Sequence, residues 1–311
     1  MKYAVIDLGS NTIRLVVYEE TNAEFHALFT QKFTAGLAAY LQDGMMTPEG
    51  IRLICTTLQR CKMLLKEFTP CTTLAFSTAP LRNIRNTQEA IDQIYAETGY
   101  SVDVLTGLEE AYLDYYGVQR ELPVESGLLF DIGGGSTEVL TFAHDGTGVI
   151  ESVPIGSLNL SKKHIAKLFP DKKERDAIRL QVQKSLKRHK LNHLPPYETL
   201  CGIGGTARTV LQLLQAMNVI LPAQRTFTAE QFRKLKKFLW KKDSAVMELL
   251  TQYCPDRLHT IFSGILILET LILQSQCTIV YVCKYGAREG YLRRYLMQQK
   301  KSTPTVNPDC A

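Results

Sequence analysis

The sequence of 311 residues lacks the cysteine and histidine patterns of metal-binding and disulfide-rich proteins. Its eight cysteines include no C-x-x-C pair, so we predict reduced thiols and neither a zinc site nor a disulfide framework. The six histidines show no spacing typical of metal ligands or of a catalytic triad. Both residue types are therefore interpreted as structural or exposed.

Long apolar segments are scarce as well. The most apolar stretch, residues 261–273 (IFSGILILETLIL), is too short to cross a bilayer and contains Glu269, so it predicts a buried helix. The first residues read as a strand, without the basic segment and apolar core of a signal peptide. We therefore expect a cytoplasmic protein that has no membrane partner.

Positive charge is concentrated in the second part of the chain. Residues 1–122 carry 10 Lys+Arg and 15 Asp+Glu, whereas residues 123–311 carry 26 and 16. Much of the excess lies in 171–190 and 232–242, two stretches with helical apolar spacing. These charges form solvated helix faces or a positive surface that attracts a polyanion, and the two interpretations are compatible. No specific nucleic-acid partner is expected.

Two segments repeat one pattern at a distance of 124 residues. Each contains an apolar strand, the motif D-x-G-x-x-[ST] and a second strand, which aligns Asp7 with Asp131 and Arg14 with Glu138. The glycines permit tight turns in which backbone amides approach a bound group closely, and the hydroxyls add hydrogen-bond donors. The repeat therefore predicts two similar halves, each with an anion-binding turn.

Strands alternate with helices after each of these hairpins, which is typical of an α/β protein with mixed sheets. Pro123 and Gly127 interrupt the pattern and indicate the joint between two domains. We predict one domain over residues 1–122, completed by a C-terminal helix at 290–305, and a second domain over 123–289.

Four segments of the sequence carry a resemblance to a known family. They are DLGSNTIRLVVYE (7–19), TGLEEAYLDYYG (106–117), DIGGGSTEV (131–139) and GIGGTART (202–209). Together they resemble the exopolyphosphatase/guanosine pentaphosphate phosphohydrolase family, within the actin-like, sugar-kinase and Hsp70 superfamily. The resemblance spans nearly the whole chain and implies two actin-like (ribonuclease H-like) domains with mixed sheets flanking a central cleft. It also implies that Mg²⁺ (or Mn²⁺) and water release terminal phosphate from polyphosphate or a guanosine polyphosphate. We further expect a homodimer.

The resemblance assigns roles to several carboxylates. Glu109 matches the glutamate that activates water, although Thr106-x-x-Glu109 is also a helix capping box and the adjacent Glu110 is the alternative base. Asp131 matches a catalytic, metal-associated aspartate, and Asp7 is its counterpart in the first half. Hard oxygen ligands of this kind suit Mg²⁺.

The other assignments concern orientation of water and binding of phosphate. Glu138 is expected to orient water or metal, and Arg82 to neutralise charge on phosphate oxygens, since arginine offers a bidentate fork. Amides, hydroxyls and a second arginine are expected to bind the substrate; these residues are Ser10, Asn11, Thr12, Gly133, Gly134, Gly135, Ser136, Thr137, Gly204, Gly205, Thr206 and Arg257.

Two other functions are compatible with the same loops. An ATP-dependent kinase of a small molecule would bind ATP there, although the sequence shows no separate signature of an acceptor pocket. A non-catalytic actin-like assembly protein would bind a nucleotide and polymerise. The positive charge of the second half and the paired glutamates at 109 and 110 favour a hydrolase of polyanions.

Overall fold

The computed structural model of the protein describes residues 1–21, 24–144 and 146–302. Its strands are β1 (Lys2–Leu8), β2 (Thr12–Thr21), β3 (Glu24–Thr34), β4 (Leu41–Gln42), β5 (Met45–Met46), β6 (Thr72–Ser77), β7 (Asp103–Val104), β8 (Gly127–Ile132), β9 (Thr137–Ala143), β10 (Gly146–Val153), β11 (Thr199–Ile203), β12 (Thr226–Thr228) and β13 (Ile279–Val282). Its α-helices are α1 (Pro48–Leu65), α2 (Ala79–Arg82), α3 (Thr87–Thr98), α4 (Gly107–Val118), α5 (Ser157–His164), α6 (Lys172–Arg188), α7 (Gly204–Ala216), α8 (Ala229–Leu239), α9 (Ser244–Tyr253), α10 (Ile261–Ser275) and α11 (Ala287–Ser302).

Two mixed sheets organise the molecule. The first has the strand order β3-β2-β1-β6-β7, and the second has the order β10-β9-β8-β11-β13-β12. In each sheet an antiparallel three-stranded meander comes first, and parallel strands are then added beside its first strand. The α/β fold with mixed sheets is therefore confirmed.

The two repeated hairpins have the same turn. The amide of Gly9 donates to the carbonyl of Thr12 at 3.1 Å, and the amide of Gly133 donates to the carbonyl of Ser136 at 3.0 Å. These are the residues that the 124-residue shift aligns, so the repeat in the sequence corresponds to a repeat in backbone geometry.

Helices cover both faces of the first sheet. Helices α1 and α3 share an apolar cluster with one face, whereas α11 and Leu113 of α4 contact the other. Helix α1 begins where the sequence predicts, because the Thr47 side chain accepts a hydrogen bond from the amide of Gly50 (3.2 Å) and Pro48 occupies the first turn. The sheet is thus held between two helical layers.

The apolar stretch that begins at Ile261 forms α10 and lies in the core of the second half. Its one carboxylate, Glu269, is buried and accepts hydrogen bonds from Arg179 (3.0 Å) and from Lys236. A buried carboxylate requires such partners. Lys236, in the basic stretch 232–242, is therefore engaged inside the fold. No helix in the described part of the chain is long and apolar enough to cross a membrane.

Helix α4 lies between the two sheets and contacts α11 closely. Its residues Tyr115 and Val118 share an apolar cluster with the second sheet, and Leu113 shares one with α11. The packing of α11 on α4 and β1 supports its assignment to the first domain, but the domain boundaries stay predictions. The last residues of the predicted helix, 303–305, lie outside the described residues.

Cysteines are unpaired throughout the described ranges. The seven that lie there are free thiols, in agreement with the prediction of a reduced protein, and Cys310 falls outside those ranges. Burial raises the pKa of Cys61 to about 12, so this thiol is inert at neutral pH.

Replacing Gly290 by Ala is expected to destabilise the protein by about 1–3 kcal/mol through overpacking. A Cβ atom at this position would lie 1.9 Å from the backbone oxygen of Leu113, and the backbone of a packed helix cannot move aside cheaply. Alanine favours helices over glycine, so the clash acts against the intrinsic preference. Urea unfolding measures the effect, and an unchanged free energy of unfolding would contradict this close packing of α4 and α11.

Candidate functional site

An open cleft lies between the two sheets and is lined by loops that follow strand ends in both halves. The turns after β1 and β8 lie in the two repeated D-x-G motifs, and the turn after β11 lies in the segment GIGGTART. Twelve of the predicted site residues line the cleft: Asp7, Ser10, Asn11, Thr12, Asp131, Gly133, Gly134, Gly135, Ser136, Gly204, Gly205 and Arg257. Five others, Arg82, Glu109, Thr137, Glu138 and Thr206, do not line it.

Within the triple glycine, Gly135 is the position at which the two repeated loops meet most closely. A Cβ atom on Gly135 would lie 3.0 Å from Cβ of Ala79 and 3.1 Å from the hydroxyl of Ser10. On the other side, a Cβ atom on Gly156 would lie 2.2 Å from the carbonyl oxygen of Gly134. Bare backbone at these positions lets the amides of the loop face the cleft.

Asp131 ends β8 at the floor of the cleft, next to the glycine turn of the second half. Gly204 has a left-handed φ of +77°, and a Cβ atom there would lie 1.9 Å from Oδ1 of Asp131. Burial raises the pKa of Asp131, and the positive charges of Arg208 and Arg288 oppose this rise. Gly204 is therefore needed after β11, because a side chain there would clash with the carboxylate of Asp131.

Two further carboxylates face the cleft from consecutive turns of α4. Glu110 Oε2 lies 2.7 Å from Nη1 of Arg82, and burial together with Glu138 raises the pKa of Glu110 well above its usual range. Asp114 is only 2% exposed, and neither of its oxygens accepts a well-aligned hydrogen bond from the described residues. Burial and the charge of Asp131 raise its pKa as well, although the Ala287 amide opposes the rise.

Glu138 lies behind these groups in β9. It accepts a hydrogen bond from the hydroxyl of Ser152 at 2.7 Å, and Nη2 of Arg82 is 3.7 Å away. Burial and the charge of Asp131 raise the pKa of Glu138 to about 7. Four mutually repelling carboxylates are thus gathered on one side of the cleft, and each of them favours a bound proton or cation.

Glu109 and Glu110 have different surroundings. The carboxylate of Glu109 accepts from the amide of Thr106 (2.8 Å) and completes the capping box of α4, with Arg294 at 3.8 Å. This amide lowers the pKa of Glu109. Glu110, one residue further along the helix, lines the cleft. The geometry therefore favours the alternative, Glu110, as the base, and the assignment of Glu109 to water activation stays a prediction.

Arg82, which was expected to bind phosphate, pairs with carboxylates beside the cleft. Its guanidinium donates to Glu110 and to the hydroxyl of Ser136 (3.1 Å), and it lies behind the residues that line the cleft. Carboxylates from two different elements occupy the guanidinium fork that was expected to bind phosphate. Arg82 thus contacts both Glu110 and Glu138, and its role toward phosphate stays a prediction.

Two predicted hydroxyls hold the loops in place. Thr137 donates to the carbonyl of Ile155 (2.6 Å), and Thr206 donates to the carbonyl of Ile132 (3.1 Å). Both threonines are buried. Their hydroxyls therefore support the shape of the cleft from behind.

Four arginines line the cleft, of which sequence reasoning named one, Arg257. The others are Arg14, Arg208 and Arg288. Burial and repulsion from Arg288 lower the pKa of Arg14 to about 10, and the Nε atoms of these two arginines have no hydrogen-bond partner. Arg288 also holds Asp7, with Nη1 2.9 Å from Oδ2. Each of the three arginines that the sequence analysis did not name follows a glycine turn at a strand end. This position in the sequence is the signal that could have identified them.

The cleft offers few protein ligands for a divalent metal ion. Within residues 1–21, 24–144 and 146–302, no group of three or more His, Cys, Asp and Glu side chains is arranged to hold a metal. Mg²⁺ often uses one or two carboxylates and completes its coordination with water and substrate phosphate. Asp131 and the unpartnered oxygens of Asp114 fit that requirement. One oxygen of Asp7 is already engaged by Arg288, so its metal role stays a prediction.

Comparisons with known proteins agree on a single family. Residues 16–299 match the Ppx/GppA phosphatase family. Exopolyphosphatase 1 of Mycobacterium tuberculosis is 24% identical over 98% of this chain and 91% of its own length. The Mycobacterium leprae protein of the same name is 23% identical over 98% of this chain and 93% of its own length.

Solved structures match the fold over nearly the whole chain. An exopolyphosphatase from Cytophaga hutchinsonii has a TM-score of 0.82 and 24% identity, with 96% of this chain and 98% of that chain covered. A Ppx/GppA family member from Aquifex aeolicus has a TM-score of 0.77 and 23% identity, with the same coverage. The predicted actin-like two-domain architecture is confirmed by these matches.

Proposed function

Because this chain belongs to the Ppx/GppA phosphatase family, we propose that it hydrolyses inorganic polyphosphate and releases the terminal phosphate. The observation that carries this proposal is the pairing of two charge clusters across one cleft. Four arginines supply donors and positive charge for a phosphate chain, and the carboxylates of Glu110, Asp114 and Asp131 supply a base and metal ligands.

The arginines bind and orient the phosphate groups in this proposal. The guanidinium groups of Arg14 and Arg288 lie close enough to repel each other, so a polyanion between them relieves repulsion. The amides of residues 10–11 and 134–135 and the hydroxyls of Ser10 and Ser136 donate to phosphate oxygens. A positioned terminal phosphate is the first requirement of phosphoryl transfer.

Glu110 acts as the general base. Its raised pKa makes the carboxylate a stronger acceptor for a proton of the attacking water, and Arg82 fixes its orientation. Glu138 shares the same arginine and contributes negative charge that keeps the pKa of Glu110 high. The carboxylates thus act on the attacking water, and the arginines bind the phosphate groups.

Asp131 and Asp114 are the residues that would hold the metal ion in this proposal. When bound, Mg²⁺ or Mn²⁺ supplies positive charge to the phosphate oxygens in the transition state. The two carboxylates contribute hard oxygen ligands and are brought together by the end of β8 and the second turn of α4. A homodimer and a cytoplasmic location also belong to the proposal.

Polyphosphate is preferred over guanosine pentaphosphate as the substrate. The named relatives of similar length are exopolyphosphatases, and the cleft is lined mainly by charged, glycine and hydroxyl residues. These groups recognise phosphate rather than a nucleobase.

The test is incubation of the purified protein with Mg²⁺ and medium-chain polyphosphate, followed by an assay of free phosphate. Guanosine pentaphosphate is assayed in parallel. Release of phosphate one unit at a time is the expected result. Transfer of phosphate to a small acceptor without free phosphate would favour a kinase, and polymerisation with nucleotide and no hydrolysis would favour an assembly protein.

A further inference from the structure

An ion pair joins the two halves of the molecule at the rim of the cleft. Nζ of Lys32, on the outer strand β3, lies 3.6 Å from Oδ2 of Asp256. Asp256 follows α9 in the second half and directly precedes Arg257, which lines the cleft. The side chains are 51% and 40% exposed, so solvent and dissolved ions reach the pair.

Lys32 also ends a row of charged residues that crosses the first sheet. The strand register pairs Asp7 with Arg14, and Arg14 with Lys32. Residues paired in this way point to the same face of a sheet. Neighbouring strands are about 4.8 Å apart, so the row runs roughly 10 Å from the Asp7–Arg288 pair to the edge strand.

The surroundings of Lys32 resemble an anion-binding site in which the carboxylate of Asp256 occupies the place of the anion. Burial and repulsion from Arg14 lower the pKa of Lys32, whereas the charge of Asp256 raises it, and Arg257 acts in the same direction as Arg14. Two arginines therefore lie near Lys32, and the carboxylate that pairs with it comes from the other half of the molecule.

We propose that Lys32 binds a distal phosphate of the polyphosphate chain, and that Asp256 holds this position until the chain displaces it. This inference rests on the proposed function, because it follows the same substrate outward from the cleft along Arg14 to Lys32. Lys32 and Asp256 together then determine how strongly the protein prefers long chains.

The exchange favours a long polyanion for two reasons. Exposed pairs of lysine and carboxylate are individually weak and are screened by salt, so little is lost when the pair opens. A chain already held at Arg14 presents its next phosphates to Lys32 at high effective concentration. Pyrophosphate has two phosphoryl groups joined by one oxygen and is too short to extend from the catalytic carboxylates to the edge strand.

The experiment compares Lys32→Met and Asp256→Asn in the full-length protein. Binding of medium-chain polyphosphate and of pyrophosphate is measured by calorimetry in EDTA, and KM for polyphosphate is measured with Mg²⁺. Lys32→Met is expected to weaken binding of the long chain about threefold to fivefold, the size of one exposed ionic contact. Asp256→Asn is expected to tighten it by a similar factor.

Pyrophosphate binding and the double variant test whether Asp256 and the polyphosphate chain compete for Lys32. Both single substitutions should leave pyrophosphate binding unchanged. In the Lys32→Met background, Asp256→Asn should tighten long-chain binding less than it does alone, because its effect depends on freeing Lys32. Additive effects, or equal effects on pyrophosphate and the long chain, would overturn the proposal.

A second exposed ion pair supplies the matched control. Arg52 and Glu49 on α1 lie 2.8 Å apart, are exposed to a similar degree, and do not line the cleft. Arg52→Met and Glu49→Gln should leave both binding constants unchanged; an equal effect of these variants would show that only net charge matters and would refute the proposal.

Calorimetry separates this inference from the proposed function. If the wild type binds polyphosphate in EDTA and Lys32→Met weakens that binding, the inference stands even when no phosphate is released. If hydrolysis is found and the Lys32 and Asp256 variants bind the long chain like the wild type, the proposed function stands and the inference is wrong.

Discussion

Replacing Asp131 by Asn is expected to reduce metal-dependent turnover roughly a thousandfold or more, because a carboxylate that positions the metal contributes several kcal/mol to the transition state. Asparagine has the same shape, so the contact with Gly204 is retained. The substitution also removes one of four mutually repelling carboxylates, so the free energy of unfolding should be unchanged or higher.

Three measurements check this expectation. Phosphate release gives the rate, titration with Mn²⁺ gives the metal affinity, and thermal unfolding reports the folded state. Asp176→Asn is the control, since Asp176 is an exposed carboxylate that pairs with Arg179 on α6 and does not line the cleft. Near-normal activity of Asp131→Asn would mean that the triple-glycine loop is only a structural turn.

Replacing Glu110 by Gln is expected to lower kcat by about 10²–10⁴-fold, the usual contribution of a general base. Glutamine can still accept the hydrogen bond from Arg82, so the side chain should stay in place while it loses its affinity for a proton. The affinity for Mn²⁺ should change much less than in Asp131→Asn. A loss of turnover with retained metal binding is therefore the signature of this variant.

Glu109→Gln is the matched control on the adjacent residue. Glutamine also completes a capping box, so α4 should begin as before. The structure predicts activity close to that of the wild type, in contrast to the role that the family resemblance assigned to Glu109. If Glu109→Gln were inactive and Glu110→Gln active, the assignment of the base to Glu110 would be refuted.

Short-range patterns in the sequence were sufficient for the α/β class and the two repeated turns, whereas the family resemblance implied the actin-like domains and the central cleft. The turns at Gly9 and Gly133 and the cap at Thr47 depend on residues within a few positions of one another, so local sequence specifies them. The ends of parallel strands meet at one edge of a sheet, and for this reason the loops after β8, β11 and β13 lie together.

The roles of individual charged side chains depended on packing between distant elements. Adjacent residues of a helix point about 100° apart. The orientation of α4 between the two sheets therefore directs the side chain of Glu110, and not that of Glu109, toward the cleft. Arg82 contacts carboxylates 28 and 56 positions away, and Arg288 contacts Asp7 across 281 positions. The local sequence around each of these residues contains no information about a partner so far along the chain, because only the folded packing of both sheets brings the charges together.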